Sequence, residues 1–351
     1  ALQQVRRRAH PIGPHRAEEA LRRRVAVTGL GIVSSLGNDP RSVAQALRHG
    51  RSGVRFCEPY RRAGMRSHVA GLPSLEGEPP IDRKIGRFMG EVSVYGYHAL
   101  RKAIADAGLP AGRVSHPRTG LIVGTGVGSL SRYVEALDAL RAGGMKKLTP
   151  YVVPQTMAST VSAGLAAAYG VRGSSYTVSG ACASAAHAIG QGVALIRSGK
   201  QDVVFAGGAE EAAWTSAVMF DAMGVLSTRY NDVPERASRP YDAARDGFVI
   251  AGGAGMLVLE ALEHARARRA RCHAEVCGYG ASSGGDMVSL SPAAAAWAMR
   301  DALADAGVAS VDYVNAHGTS TPMGDEIELS AVERLFGNSA GKLAMSSTKS
   351  A

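Results

Sequence analysis

Strand-like and helix-like segments alternate along nearly the whole chain, which predicts an α/β protein with mostly parallel strands. Three observations carry this. Short apolar runs recur between helical stretches, glycine (43 residues) clusters where those runs end, and the order of elements looks doubled.

The folded part opens on "RVAVTGLGIVSSLG" (24–37), read as a strand, followed by a helix around "PRSVAQALRHG" (40–50). "EVSVYGYHALRKAIADAGL" (91–109) reads as a helix closed by glycine, which takes positive φ without steric cost just beyond a helix end. Strand-like "TGLIVGTG" (119–126), the segment "SSYTVSGACASAAHAIG" (174–190) and "DVVFAGGAEE" (202–211) follow. Then come "AGMLVLEALEHARARR" (254–269), "HAEVCGYGA" (273–281), the helix "AAAAWAMRDALADAGV" (293–308) and the strand "VDYVNAHGTS" (311–320). Each half passes through a Gly-rich strand, a helix ending in "ADAG" and a strand that delivers a chemically capable residue.

At 351 residues the chain can bury a large core, as one domain or two fused halves. Its 46% hydrophobic and 20% charged residues are ordinary for a globular protein. No apolar run is long enough to span a membrane, and none reads as a secretory segment. Half of the net charge of +10 sits in residues 1–24, where seven arginines face two glutamates. That stretch is expected to be a disordered leader: a transit-like peptide, an upstream translation artefact or cloning-derived sequence. The remaining charge suits an acidic partner, and no aromatics interleave a basic stripe as nucleic-acid binding would favour.

Cys57, Cys182, Cys272 and Cys277 form no C-x-x-C pair, which argues against a disulfide framework or a zinc site and for a reducing cytoplasm. "VTGLGIVSSLG" offers Gly29-x-Gly31, but Ser34 stands where the dinucleotide fingerprint needs its third glycine. Close strand–helix packing is the better reading of those glycines.

Three places could carry chemistry. Cys182 lies where the β-like run Tyr176-Thr177-Val178 ends and an apolar helix begins, with no charge until Arg197. Small or apolar residues on every face predict that this helix is buried. Helix amides would stabilise a thiolate at its start, and a small core cysteine is the alternative. His187, five residues on, is off the cysteine's face and reads as structural. His317 leaves the end of a strand in a polar turn, with Thr319 and Thr321 as hydroxyls for a ligand and Asp325 and Glu328 one turn apart at a helix start. That position suits a functional histidine or an ordinary loop residue. Lys349 follows β-like "LAMSS" and by itself would be a solvated lysine.

Together these motifs resemble the elongating β-ketoacyl-acyl carrier protein synthases, condensing enzymes of fatty acid synthesis with the thiolase fold. The match runs from "VAVTGLGIVSSLG" to the last residue through "SGACASAAHAIG", "FDAMGVLSTRYND", "RPYDAARDGFVIAGGAGMLVLE", "NAHGTSTPMGDEIE" and "SSTK". "HGTSTPxGD" separates the chain from thiolases and initiating synthases, and "GMRSHVAG", "IDRKIGRFM" and "STRYNDVPERAS" look like synthase I rather than II. The resemblance implies two similar halves, residues 25–255 and 256–351, in a layered αβαβα arrangement with mixed, mostly parallel sheets. It implies Cys182 as acyl-accepting nucleophile, His317 and Lys349 as active-site residues, and Thr319 and Thr321 as partners of phosphopantetheine. Asp325 and Glu328 fall in the supporting network, Phe220 and Phe248 at the acyl pocket, and Arg83, Lys84 and Arg87 in a patch that docks acidic acyl carrier protein.

The implied reaction is decarboxylative condensation of a fatty acyl thioester on Cys182 with malonyl-acyl carrier protein. It needs no metal or resident cofactor, because phosphopantetheine arrives on the carrier. A homodimer in a bacterial-type cytoplasm is implied, with organellar import left open by the Arg-rich leader. Family members continue past the lysine to a "GH" motif with a second active-site histidine and to a "GFGG" loop with an oxyanion amide. The sequence stops at Ala351, short of both. The expectation is a truncated second half, poorly soluble and inactive in condensation until downstream residues are restored. The alternatives are a polyketide-type ketosynthase and a non-catalytic paralogue that only binds carrier protein or a partner synthase.

Overall fold

Residues 23–285 and 291–351 are described by the structure, a computed structural model. The leader through residue 22 lies outside the described residues. The expected leader boundary moves back by two residues. Arg23 pairs with Asp202 at 2.8 Å and with Glu263, and Arg24 donates to both Glu275 oxygens at 2.5 Å.

Strands β1 (Val25–Val33), β4 (Thr119–Gly124) and β6 (Val203–Glu210) are apolar at almost every position and almost wholly buried. That pattern belongs to strands covered on both faces. They lie in a six-stranded sheet ordered β5 (Ser175–Val178), β4, β6, β8 (Gly253–Ala261), β1 and β9 (Ala274–Glu275). β5, β4 and β6 are parallel neighbours, and β8 is antiparallel to both β6 and β1. β1, β4, β5 and β6 therefore run in one direction, as the alternation of segments predicts. A small sheet of β2 (Val54–Phe56), β3 (Val69–Gly71) and β7 (Ile250–Ala251) is added beside it.

Alternation along β4 decides what covers each face. Leu121 and Val123 pack with Val92, Ala99 and Leu100 of helix α1 (Glu91–Ala107) and with Val161 and Leu165 of α2 (Thr160–Tyr169). Ile122 packs on the other face with Ala188, Val193 and Ile196 of α3 (Ser184–Arg197). The glycines of β1 belong to this packing. A Cβ at Gly29 would meet Ala103 O of α1 at 2.2 Å, and one at Gly31 would meet Ala99 O at 1.9 Å.

Past β8 the chain enters helix α4 (Leu262–Ala267), and beyond it the doubled order has a structural counterpart. Beyond the first sheet, Gly278 and Gly280 lie against Ala302 O and Ala298 O of α5 (Pro292–Ala306), where a Cβ would come within 2.1 and 2.0 Å. Both helices close on a left-handed glycine, Gly108 and Gly307. The second sheet holds β10 (Tyr313–Asn315) and β11 (Ala344–Ser346), paired in parallel beside α6 (Pro322–Phe336). The expected division between residues 255 and 256 falls inside β8, so at sheet level the first half continues to Ala261. Among the described residues no helix is long and apolar enough to cross a membrane.

Candidate active site

Cys182 follows β5 but precedes α3, which starts at Ser184. It occupies a tight turn in which Ala183 N donates to Gly180 O at 3.0 Å and Ser184 N to Ala181 O at 3.1 Å. Ala181 has φ +49°, a region that costs a side-chain-bearing residue about 1–3 kcal/mol unless its surroundings enforce it. Ser184 enforces it. Its buried hydroxyl accepts from Gly180 N at 2.9 Å and reaches Ala181 O at 2.6 Å and Thr125 O at 3.2 Å. The turn lifts the Cys182 thiol into solvent, whereas Cys57 is buried in the core and Cys272 and Cys277 are exposed outside this site. The expected all-round burial of α3 needs correction, because Ala186, Gln191 and Ala194 are exposed. α3 lies partly beside β5, an edge strand, so a single chain leaves one of its faces uncovered.

The second sheet supplies the facing groups. Because β10 and β11 are parallel and in register at Asn315 and Ser346, His317 and Lys349 both leave from the C-terminal ends of the strands, where α/β proteins place functional groups. Glu328 accepts from His317 N at 2.6 Å, Gly318 N at 2.7 Å and Tyr241 Oη at 2.9 Å. The buried Asp325 accepts from Tyr241 N at 2.8 Å and Ser320 N at 3.1 Å, with Arg245 Nε 3.6 Å away. Both carboxylates thus staple the loop 317–321 to α6 through its amides. The helix opens at Pro322, earlier than the Asp325 start expected, with Thr321 as its N-cap and Thr321 Oγ1 3.2 Å from Thr319 Oγ1.

Two adjoining cavities meet at Cys182. One, of about 520 Å³, is lined by Cys182, His317, Thr319, Lys349, Ser238 and Phe248. The other, of about 640 Å³, runs past Cys182 and Lys349 to Phe220, Phe248, Glu210 and Glu211. Phe220 and Phe248 meet edge to face, 5.5 Å apart. His317 and Lys349 are reached by solvent through the open cavity, yet protein crowds both. Burial lowers the His317 pKa, aided by the Lys349 ammonium, and burial also lowers that of Lys349, against Glu328 and the Cys182 thiol. Lys349 is exposed, yet unlike an ordinary chain-end lysine it lines both cavities beside Cys182. Ser238 donates to its carbonyl, and its N–H donates to Ser347 Oγ at 3.2 Å.

Arg83 and Lys84 occupy a single helical turn, Arg83–Gly86, and Arg87 caps it rather than continuing a shared face. The Arg87 guanidinium stacks on Phe88 and Tyr151 at 5.0 and 5.2 Å. The turn Met145–Lys147, which leads into Tyr151, adds the exposed Lys146 and Lys147. Sequence reading passed over these lysines, along with Ser184, Tyr241 and the Glu210–Glu211 pair. No spacing rule marks a residue that acts by accepting another loop's amides. Burial raises the pKa of both glutamates. Among the described residues no cluster of three His, Cys, Asp or Glu side chains could hold a metal ion.

Comparison with known proteins agrees with this geometry. Residues 22–265 match the family described as "Beta-ketoacyl synthase, N-terminal domain" and residues 273–351 its C-terminal domain. The 3-oxoacyl-[acyl-carrier-protein] synthases 1 of Haemophilus influenzae and Escherichia coli are each 52% identical over 330 residues, covering 93% of this chain and 80% of each relative. Synthase 2 of Rhizobium meliloti is 41% identical over 350 residues, covering 94% of this chain and 82% of the relative. A β-ketoacyl synthase from Burkholderia phymatum superposes with TM-score 0.87 at 37% identity, covering 93% of this chain and 81% of that one. A type II polyketide ketosynthase in complex with its acyl-carrier protein superposes at 0.84 with 30% identity, covering 94% and 81%. The chain belongs to the β-ketoacyl synthase family, most like synthase I.

Proposed function

We infer that the chain elongates fatty acyl chains by condensing an acyl thioester with malonyl-acyl carrier protein. The observation that carries the site assignment is the convergence of Cys182 from one sheet with His317 and Lys349 from the other on adjoining cavities. The Cys182 thiolate attacks the acyl carbonyl, a carbon–sulfur bond forms, and the carrier's thiolate leaves. Turn amides at the start of α3 and the Lys349 ammonium favour the anionic sulfur. The second thioester, malonyl, then loses carbon dioxide, and negative charge develops on its carbonyl oxygen. His317, kept neutral by burial and by Lys349, suits a hydrogen-bond donor to that oxygen. The carbanion attacks the acyl group and releases Cys182, lengthening the chain by two carbons without an external cofactor.

Phe220 and Phe248 give the cavity beyond Cys182 the apolar lining an acyl tail needs. Thr319 and Thr321 offer hydroxyls for the amide-rich phosphopantetheine arm. The higher identity to synthases 1 than to the polyketide ketosynthase favours fatty acid elongation. β5 is an unpaired edge with Ser175 and Tyr176 exposed, which supports a homodimer through that edge. The bacterial relatives support the cytoplasmic setting expected from the cysteines.

Carrier docking gives the test. Reversing Arg83, Lys84 and Arg87 to glutamate should raise the KM for carrier-bound acyl donor at least ~10-fold at low salt and flatten its salt dependence. Transfer from a short pantetheine thioester should be left alone. An unchanged KM for the carrier-bound donor would remove these residues from the docking surface.

A further inference from the structure

The reaction needs Cys182 from the first sheet aligned with His317 and Lys349 from the second, so something must fix α3 against the second half. We propose that His187 and Tyr279 form a clamp that, together with Arg197 and Asp305, positions the nucleophile turn. This rests on Cys182 being the nucleophile.

His187 lies one helical turn below the cysteine turn and donates its N–H to Ala183 O at 2.9 Å. Its ring is pressed against Gly180. A Cβ there would fall 2.5 Å from His187 Cδ2 and 2.9 Å from Nε2. The imidazole is thus the floor beneath the Gly180–Ala181–Cys182 turn. On its far side Nδ1 is 2.5 Å from Tyr279 Oη, and the two rings meet edge to face.

Tyr279 belongs to the second half and is aimed by alternation along an extended segment. Gly278 and Gly280 seat against α5, so Tyr279 between them points the other way, onto α3. There its ring fills the space that a Cβ at Gly190 would need, 2.5 to 2.6 Å from three ring carbons. Asp305 of α5 accepts from Tyr279 N at 2.9 Å and from Arg197 Nη1 at 2.7 Å, and Arg197 Nη2 donates to Cys277 O at 2.6 Å. Helix α3 is therefore tied to the second half near both ends, at His187 and at Arg197.

Two glycines that admit rings rather than turns, and a tyrosine buried enough to raise its pKa, are more than surface packing requires. The clamp is a positioning device. It carries no proton to substrate and touches none. It acts by keeping the thiol within reach of the Lys349 charge and the turn amides, a geometry in which displacement of about 1 Å can cost ~100-fold in rate.

The test is the rate of Cys182 alkylation by iodoacetamide at pH 7 in the 351-residue chain, followed by peptide mass. Iodoacetamide reads the thiol whether or not it accepts an acyl group, so failure of the clamp and failure of the nucleophile assignment are separable. Tyr279→Phe keeps the ring on Gly190 and removes only the hydroxyl. It should slow alkylation of Cys182 about 5- to 10-fold. Acyl transfer to Cys182 should lose kcat with KM for the donor unchanged. Asp305→Asn, which slackens the other tie, should slow alkylation in the same way. A lowered melting temperature with unchanged alkylation and kcat, in whichever variant folds, would make the pair structural only and overturn the proposal.

Discussion

Replacing Cys182 with alanine should abolish acyl transfer from carrier thioester, leaving a rate indistinguishable from solvent hydrolysis. The loss should be total because no other thiol can substitute. Cys57 is buried in the core, and Cys272 and Cys277, though exposed, line neither cavity at the site. Cys182→Ser is the more searching variant. It keeps the size and the turn, yet an alcohol lacks the thiol's readiness to ionise, so transfer should still fall at least ~1,000-fold. Both variants should melt near the parent temperature, since the thiol is exposed and Ser184, not Cys182, holds the turn. Acyl transfer that persisted in Cys182→Ala would move the nucleophile elsewhere.

Glu328→Ala should be the most damaging change outside the reacting groups. It removes the acceptor for His317 N, Gly318 N and Tyr241 Oη at one stroke. Each polar group left without a partner costs about 1–3 kcal/mol, discounted here because the loop is partly reached by solvent. A loss of about 2–4 kcal/mol and several degrees of melting temperature follows. Freed of its staple, the loop should let His317 swing, and the rate of malonyl-thioester decarboxylation should fall ~100-fold. Glu328→Gln retains one carbonyl oxygen and should lie between. If Glu328→Ala matched the parent in both melting and decarboxylation, the staple would not be what positions His317.

The sequence made legible whatever depends on period and punctuation. Helices α1 and α5 each end on a glycine that the structure puts in the left-handed region, because the "ADAG" pattern states the turn chemistry directly. Gly29 and Gly31 read correctly as packing glycines, since the missing third glycine left nothing for a phosphate and close approach to α1 explains both. Cys182 and His317 stood out locally because strands end there. Nothing local distinguished nucleophile from core cysteine, and only the family motifs tipped the reading.

What stayed hidden lies across the chain rather than along it. The loop around His317 is held by Glu328 of α6 and by Tyr241, 76 residues before the histidine, and no periodicity links them. Lys349 looked like a free chain end because the parallel pairing of β10 with β11 that carries it beside His317 is a non-local contact. The exposed face of α3 was misread for a related reason. A run of small apolar residues predicts burial, but it does not say whether the cover comes from the same chain.

The most direct measurement is the site of the acyl group itself. The 351-residue chain is incubated with a fatty acyl-carrier thioester, quenched in acid, digested and mapped by tandem mass spectrometry. The account predicts one acyl mass on the peptide containing Cys182, labile to hydroxylamine as a thioester must be, and none in Cys182→Ala. An acyl group found instead on Cys272, Cys277 or a lysine, with the Cys182 peptide unmodified, would contradict it.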